Sequence, residues 1–319
     1  MSANVSIIIP CFNAERWLGE AIESCLSQTH GPLEIIVVDD GSVDGSVQII
    51  KSFGARVRWV SGPNHGGNYA RNKGCALSNG DYIQFLDADD YLLPDKISSQ
   101  LECFQRTGAD VVYSDWRHQF HRKDDTVELE DVTVAGDHED ILESLLKSWW
   151  VSPAALLFHR DVVQKVGGWD ESLSAAQDRD FFISVALTGA RIVYQPGCHA
   201  IYRRHGPSVS TSNLSRWLDS HWRVLRKAEA TLQLTGRLTP NYRRALAWSY
   251  FGLARNYFEV NRLKYNEVVQ KVLELDPQFR PQQSRIYDFV QGCLGYRAAD
   301  FMASWKRRLS RLRGADTKA

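Results

Sequence analysis

Three carboxylates crowd the end of a short apolar run. Asp87, Asp89 and Asp90 follow Tyr82-Ile83-Gln84-Phe85-Leu86, within a stretch that begins at Gly80 and closes at Pro94. In extended chain, side chains alternate between faces, so Asp87 and Asp89 would point the same way across the small Ala88. Two convergent carboxylates form an oxygen site for a hard divalent cation such as Mg²⁺ or Mn²⁺. The competing reading is a turn, in which aspartates bond nearby backbone ahead of a proline. Two other polar clusters follow apolar runs in the same manner: Pro10 to Asn13 after Val5–Ile9, and Asp39 to Ser42 after Leu33–Val38.

These clusters need elements to hold them. Val5–Ile9, Leu33–Val38 and Val57–Val60 read as buried strands from their β-branched, continuous apolar composition. Helical spacing of Trp17, Leu18, Ala21, Ile22, Cys25 and Leu26 separates the first two strands, and helices at 43–53 and 67–78 follow. Short connections between alternating strands and helices argue for an α/β fold, with a mostly parallel sheet flanked by helices. Ligands in such sheets bind beyond the carboxyl ends of the strands, so the three polar clusters are expected along one rim. Further on come a helix at 95–107, a strand at 110–113, a charged, alternating segment at 116–133 that reads as a hairpin or an exposed excursion, and a helix at 138–147. A strand near 155–158, a helix from Asp161 to Gly167-Gly168, a helix opened by Gln177-Asp178-Arg179-Asp180 and a strand at 192–194 complete this region. From about Trp217 the periodicity is helical throughout. The expected division is a domain at 1–213 and an all-α C-terminal region at 214–319.

Lys+Arg and Asp+Glu both total 38, so no global field favours nucleic acid, and no basic groove with interleaved aromatics is present in the sequence. The six cysteines lack metal or disulfide spacing and read as reduced thiols. The N-terminus has no signal-peptide pattern and no uncharged run approaches the ~18 residues of a membrane span, so a cytoplasmic protein is expected. Residues 301–313 place Phe301, Met302, Trp305, Leu309 and Leu312 on one helical face, with Lys306, Arg307, Arg308, Arg311 and Arg313 and no acidic residue among them. That pattern suits a helix lying on an anionic membrane surface, at the inner face of the membrane, or a solvated helix packed on its own domain.

SIIIPCFN at Ser6–Asn13, EIIVVDDGS at Glu34–Ser42, NHGGNYARNKG at Asn64–Gly74, the Gly80–Pro94 stretch, GWDE at Gly168–Glu171, Gln177-Asp178 and YRRH at Tyr202–His205 occur in this order. Together they make the first 210 or so residues resemble the family 2 glycosyltransferases, whose catalytic domain has the A-type nucleotide-sugar-binding α/β fold. The resemblance implies a metal-dependent inverting transfer of a sugar from a nucleotide donor, a uridine diphosphate (UDP) sugar first, to a saccharide or lipid-linked saccharide in polysaccharide synthesis. It assigns Asp40 and Pro10 to the base and ribose, Arg71 to the nucleotide side and Asp87 to the ribose or sugar. It assigns Asp89 to Mn²⁺ or Mg²⁺, His205 to the metal or diphosphate, and Arg203 or Arg204 to phosphate. Asp178 becomes the general base, although Gln177 stands where the family commonly has glutamate. Asp39 is equally readable as a turn former, Asp90 is expected to bond its own loop, and Trp149, Trp150 and Trp169 are candidates for stacking on sugar or for the core. Two other functions remain open: a sugar-phosphate nucleotidyltransferase, which would normally show a Gly-rich loop where Pro10-Cys11-Phe12-Asn13 stands, and a non-catalytic nucleotide-sugar-binding module.

Overall fold

The computed structural model describes residues 4–122, 126–206, 213–281 and 283–315. By contact density the chain forms two compact units, one of Met1–Leu145 with Trp149–Asn213, the other of Leu146–Ser148 with Leu214–Ala319.

The first unit is built on a mixed sheet. Its strands are β1 (Val5–Cys11), β2 (Leu33–Asp39), β3 (Arg58–Ser61), β4 (Tyr82–Phe85), β5 (Tyr91–Leu92), β6 (Val111–His121), β7 (Val127–Leu129), β8 (Leu156–His159) and β9 (Ile192–His205). The order is β3-β2-β1-β4-β8-β6-β9-β5, with β7 paired to β6. The strands β3, β2, β1 and β4 run parallel, joined by α1 (Leu18–Leu26), α2 (Ser46–Ser52) and α3 (Gly67–Leu77). Such crossovers cover both faces, which is why Ile7, Ile8, Ile9, Ile36 and Val37 are all fully buried. Gly74 lets α3 approach β1: a Cβ there would fall 2.3 Å from Ile8 Cγ2. After α4 (Lys96–Thr107), β8 enters antiparallel between β4 and β6, followed by α6 (Arg160–Val166) and α7 (Gln177–Leu187). A short α5 (Ile141–Leu146) lies between β7 and β8 in sequence.

Two strands run well past their expected ends at Tyr113 and Tyr194. They pair in parallel from Val111↔Ile192 through a register shift near Asp115 to His121↔His205. The polar residues of both segments hide this pairing from composition, yet it is what carries Tyr202–His205 to the rim. β5 adds to β9 from the opposite direction, with Tyr91 facing Ile201.

The helical unit contains α8 (Leu214–Leu234), α9 (Pro240–Val260), α10 (Arg262–Leu275) and α11 (Arg285–Ala315). Thr239 caps α9 by accepting from the Tyr242 amide at 3.3 Å, and Asn261 caps α10 by accepting from Lys264 at 3.0 Å. α11 is interrupted at Gly295, whose φ of 80° and ψ of 173° are not helical. Its core holds paired charges: Asp300, 1% exposed, accepts from the hydroxyls of Tyr265 and Tyr287, each at 2.8 Å. The side chains of 306–313, where the basic run was read, lie outside the described residues. Among the described residues, no helix is long and apolar enough to cross a membrane.

Candidate active site at the sheet rim

The ends of β1 and β2 are tied together. Asp40 N–H donates to Cys11 O at 2.8 Å, Asn13 N–H to Ser42 Oγ at 2.9 Å, and Val43 N–H to Asn13 Oδ1 at 2.9 Å. Pro10 sits half-buried just inside this junction. Asp39 accepts from the Ser42 amide at 3.1 Å and from Ser61 Oγ at 2.6 Å, a turn-forming role. Asp40, 3% exposed, accepts from the amides of His65 at 2.8 Å and Gly66 at 2.7 Å, so its carboxylate fixes the entrance to α3. Gly41 makes this junction possible. Its φ is +84°, and a Cβ would lie 2.9 Å from Asn64 N.

The Asp87–Asp90 segment is a turn, closed by Asp90 N–H donating to Asp87 O at 3.0 Å. The extended alternation that would aim Asp87 and Asp89 at one ligand is therefore absent, and the two carboxylates diverge. Asp87 pairs with Arg71 Nη2 at 2.6 Å, while Asp89 Oδ2 meets His205 Nε2 at 2.9 Å. Asp90 bonds its own loop through its amide, while its carboxylate accepts from the Arg203 amide on β9 at 2.8 Å. Burial holds the Asp90 carboxyl well above its ordinary value, and the neighbouring Asp89 and Asp87 charges add to the rise.

Alternation along β9 separates the two arginines. Arg203 points inward: its guanidinium donates to Asp89 O at 3.1 Å and to Gln119 Oε1 at 3.1 Å, pairs with Glu20, and lies over the rings of Trp17 and Tyr91. Arg204 is exposed, with its guanidinium 4.9 Å from the centre of the Tyr202 ring. Arg204 is thus the one of the pair with its charge in solvent.

Asp89 and His205 have side chains 40% and 34% exposed. A carboxylate oxygen beside an imidazole nitrogen suits Mn²⁺ or Mg²⁺ when diphosphate oxygens and water complete the shell. Among the described residues, no group of three or more His, Cys, Asp or Glu side chains is arranged to hold a metal, because Asp87 is turned to Arg71. The donor set fits a cation held by two protein ligands.

Asp178 lies in the first turn of α7, after Ala176 in a left-handed conformation (φ 56°). One of its oxygens accepts from the indole N–H of Trp150. Beside it is a narrow crevice lined by Trp150, Phe85, Phe158 and Trp169. Trp150 packs edge-on against Trp116 at 5.6 Å and Tyr202 at 5.7 Å. Trp169 belongs to the core: it is 5% exposed and stacks on Phe181 at 4.2 Å, with the Arg71 guanidinium 4.6 Å above its ring. Arg179, next to Asp178, is half-buried, and desolvation lowers its guanidinium to about 10 against the opposing Asp178 charge. Burial raises the Tyr202 phenol; Arg204 opposes the rise, and Asp90, Asp87 and Asp178 all add to it. One phenol thus lies within electrostatic reach of both carboxylate centres.

Trp17 and Gln119 escape sequence reasoning as site residues, and Trp150, expected as a stacking or core ring, takes a hydrogen-bonding role instead. Trp17 lies between His205, at 4.9 Å, and His121, at 4.5 Å. Gln119 takes the Arg203 Nε donor, and Trp150 serves Asp178 through its N–H. All three meet partners that are distant in the chain, which leaves no local signature.

The sequence profile described as "Glycosyl transferase family 2" matches residues 6–167, just over half of the chain. This chain belongs to glycosyltransferase family 2. The match takes in every rim residue up to Asp90 and ends before Asp178 and His205. An uncharacterized glycosyltransferase of Haemophilus influenzae is 45% identical over 101 residues, covering 30% of this chain and 40% of that protein. A chondroitin synthase of Escherichia coli is 28% identical over 236 residues, covering 72% of this chain and 33% of its own length. The chain therefore spans between a third and two-fifths of these two relatives. Among solved structures, Staphylococcus aureus TarS 1–349 in complex with UDP-GlcNAc superposes with a TM-score of 0.60 at 17% identity, over 90% of this chain and 81% of that one. The mannosyltransferase PcManGT from Pyrobaculum calidifontis, in complex with GDP-Man and Mn²⁺, gives 0.53 at 16% identity, over 95% and 87%. At these identities the likeness is one of fold.

Proposed function

We propose that this chain is an inverting glycosyltransferase that uses a divalent cation and transfers a sugar from a nucleoside diphosphate sugar to a saccharide or lipid-linked saccharide hydroxyl in polysaccharide synthesis. A UDP sugar is the leading donor, since TarS binds UDP-GlcNAc on the same fold. The observation that carries the reading is that Trp150 links the two centres: its indole donates to Asp178, and its ring packs 5.7 Å from that of Tyr202, which shares β9 with His205, the partner of Asp89. An acid–base group and an anion-binding edge close to one another are what group transfer from a diphosphate requires.

In this reading Pro10 and Asp40 border the base. Two of the roughly four lone-pair sites of the Asp40 carboxylate are used by amides, leaving acceptor capacity for an imide N–H. Arg71 holds Asp87 toward the ribose, and Arg204 offers its guanidinium to phosphate. Asp89 and His205 would hold Mn²⁺ or Mg²⁺, which when bound neutralises charge on the departing diphosphate. Asp178 removes the proton from the acceptor hydroxyl as that oxygen attacks the anomeric carbon. Trp150 keeps one Asp178 oxygen occupied, so the other receives the proton. The amphipathic stretch 301–313 would place this chemistry on the inner face of a membrane. Asp178 argues for catalysis over a pure binding module, because binding alone has no use for a base.

Calorimetry with UDP tests the donor half. Binding should require Mn²⁺ or Mg²⁺ and should weaken in Asp89→Asn; metal-independent binding of equal strength in both proteins would remove the metal assignment.

A further inference from the structure

The helical unit carries an open groove of about 550 Å³. Phe258 and Arg262, at the corner between α9 and α10, form one wall, and Leu294, Arg297 and Phe301 of α11 form the other. Beyond the break at Gly295, positions 297, 301 and 305 recur at i, i+4 and i+8, so Arg297, Phe301 and Trp305 share one helical face. Apolar side chains on both sides of the break are open to solvent: Leu294 before it is 72% exposed, and Phe301 and Trp305 after it are 62% and 60% exposed. Soluble surfaces seldom expose a contiguous aromatic and aliphatic patch of this kind without a partner.

The charges identify the partner. Arg262 lies over the Phe258 ring, its guanidinium carbon 3.5 Å from the centroid. Among the described residues, neither Arg262 nor Arg297 forms an ion pair, whereas the buried Asp300 nearby on α11 is already bonded by Tyr265 and Tyr287. The acidic group at this corner, Glu259, accepts from Ser304 Oγ at 2.7 Å. Two uncompensated guanidinium groups beside exposed Leu, Phe and Trp side chains match the interface of an anionic bilayer, where phosphate sits next to acyl chain. In the sequence, the same helix continues into Lys306, Arg307, Arg308, Arg311 and Arg313.

We propose that this groove docks the helical unit on an anionic phospholipid surface, with lipid phosphate held between Arg262 and Arg297 and with Leu294, Phe301 and Trp305 entering the headgroup layer. The proposal rests on the membrane part of the functional reading, but it places the docking face largely upstream of 301–313 and does not depend on transfer activity.

Sedimentation of the full chain with vesicles tests it. Vesicles of phosphatidylcholine with phosphatidylglycerol should carry the protein down, phosphatidylcholine alone should not, and salt should weaken the binding. At about 1 kcal/mol per basic residue near an anionic surface, Arg262→Glu with Arg297→Glu should lower the bound fraction at least tenfold. Leu294→Ser should weaken binding while keeping its salt dependence. Thermal unfolding and UDP binding of each variant, matched to the wild type, show that the fold is intact and separate this result from any failure of the donor site. The proposal is overturned by equal sedimentation with both vesicles. It is overturned equally if the groove variants bind normally while serine at Lys306, Arg307 and Arg308 abolishes binding, which would assign the contact to the terminal run alone. Absence of vesicle binding, with a dimer in light scattering that Phe301→Ser dissociates, would make the occupant a second copy and also refute it.

Discussion

At the strand ends, Asp39, Asp40, Asp87 and Asp90 are each engaged by backbone amides, a serine or an arginine, whereas Asp178 has a single indole donor at the start of a helix. A region proposed to admit a diphosphate cannot face it with four bare carboxylates. Internal donors compensate three of them, Asp90 is buried with its carboxyl held above its ordinary value, and Asp89 stands toward solvent beside His205, more exposed than the arginine-paired Asp87. The Asp178 region has the opposite requirement. In the proposed role of base, Asp178 needs one oxygen fixed and one free, and a lone N–H donor supplies that. Number of hydrogen bonds, rather than the count of acidic residues, therefore separates the proposed binding edge from the proposed reacting one.

The contrast can be broken by substitution. Asp178→Asn should lower transfer by about 10²- to 10⁴-fold with donor affinity unchanged, the range expected on losing a positioned base; unaltered turnover would return Asp178 to the role of a helix-turn carboxylate. Next in size, Asp89→Asn should weaken Mn²⁺ binding in the presence of UDP by roughly tenfold or more, measured by calorimetry. Trp150→Phe preserves the ring but removes the N–H. Losing a hydrogen bond to a charged group, worth about 1.5–3 kcal/mol, should lower kcat about tenfold or more while KM for the donor stays constant. A parallel rise in donor KM would mean that Trp150 shapes the donor pocket instead.

The smallest effect concerns what lies beneath this second region. Lys96 is wholly buried; its Nζ donates to Gln84 Oε1 and, at 2.9 Å, to Leu156 O, while Gln100 Nε2 donates to Ala155 O at 2.9 Å. These bonds hold the chain just after Trp150. Burial lowers the Lys96 ammonium well below 10.5, so between the lowered value and 10.5 the unfolded chain binds the extra proton. Wild-type stability relative to Lys96→Met should therefore rise with pH through that window, levelling off above 10.5. A pH-independent difference in unfolding free energy would show that Lys96 keeps its charge when buried.

Several of these residues were legible without coordinates. The apolar runs at Val5–Ile9, Leu33–Val38 and Ile83–Leu86 announce strands because each is buried on both faces, and the polar residues after them announce a rim. Asp39 was readable as a turn former from Asp-Asp-Gly-Ser alone. Asp87–Asp90 was not, because the same residues suit an extended metal site and a turn, and only the Asp90-to-Asp87 hydrogen bond separates the two. The long strands β6 and β9 were hidden for another reason. Their polar ends are stabilised by each other, and a pairing across some eighty residues leaves no trace in either segment.

Sequence by itself determined the family, the α/β alternation and the identity of the acidic residues that could do chemistry, since these depend on composition and short-range spacing. Tertiary structure decided which of them could act. Asp89 reaches His205 across 116 positions, and Asp87 reaches Arg71 and Trp150 reaches Asp178 only because the fold brings turns, loops and helix starts together. The physical reason is that a carboxylate's function follows from its donors and its exposure, and both are supplied by segments distant in the chain.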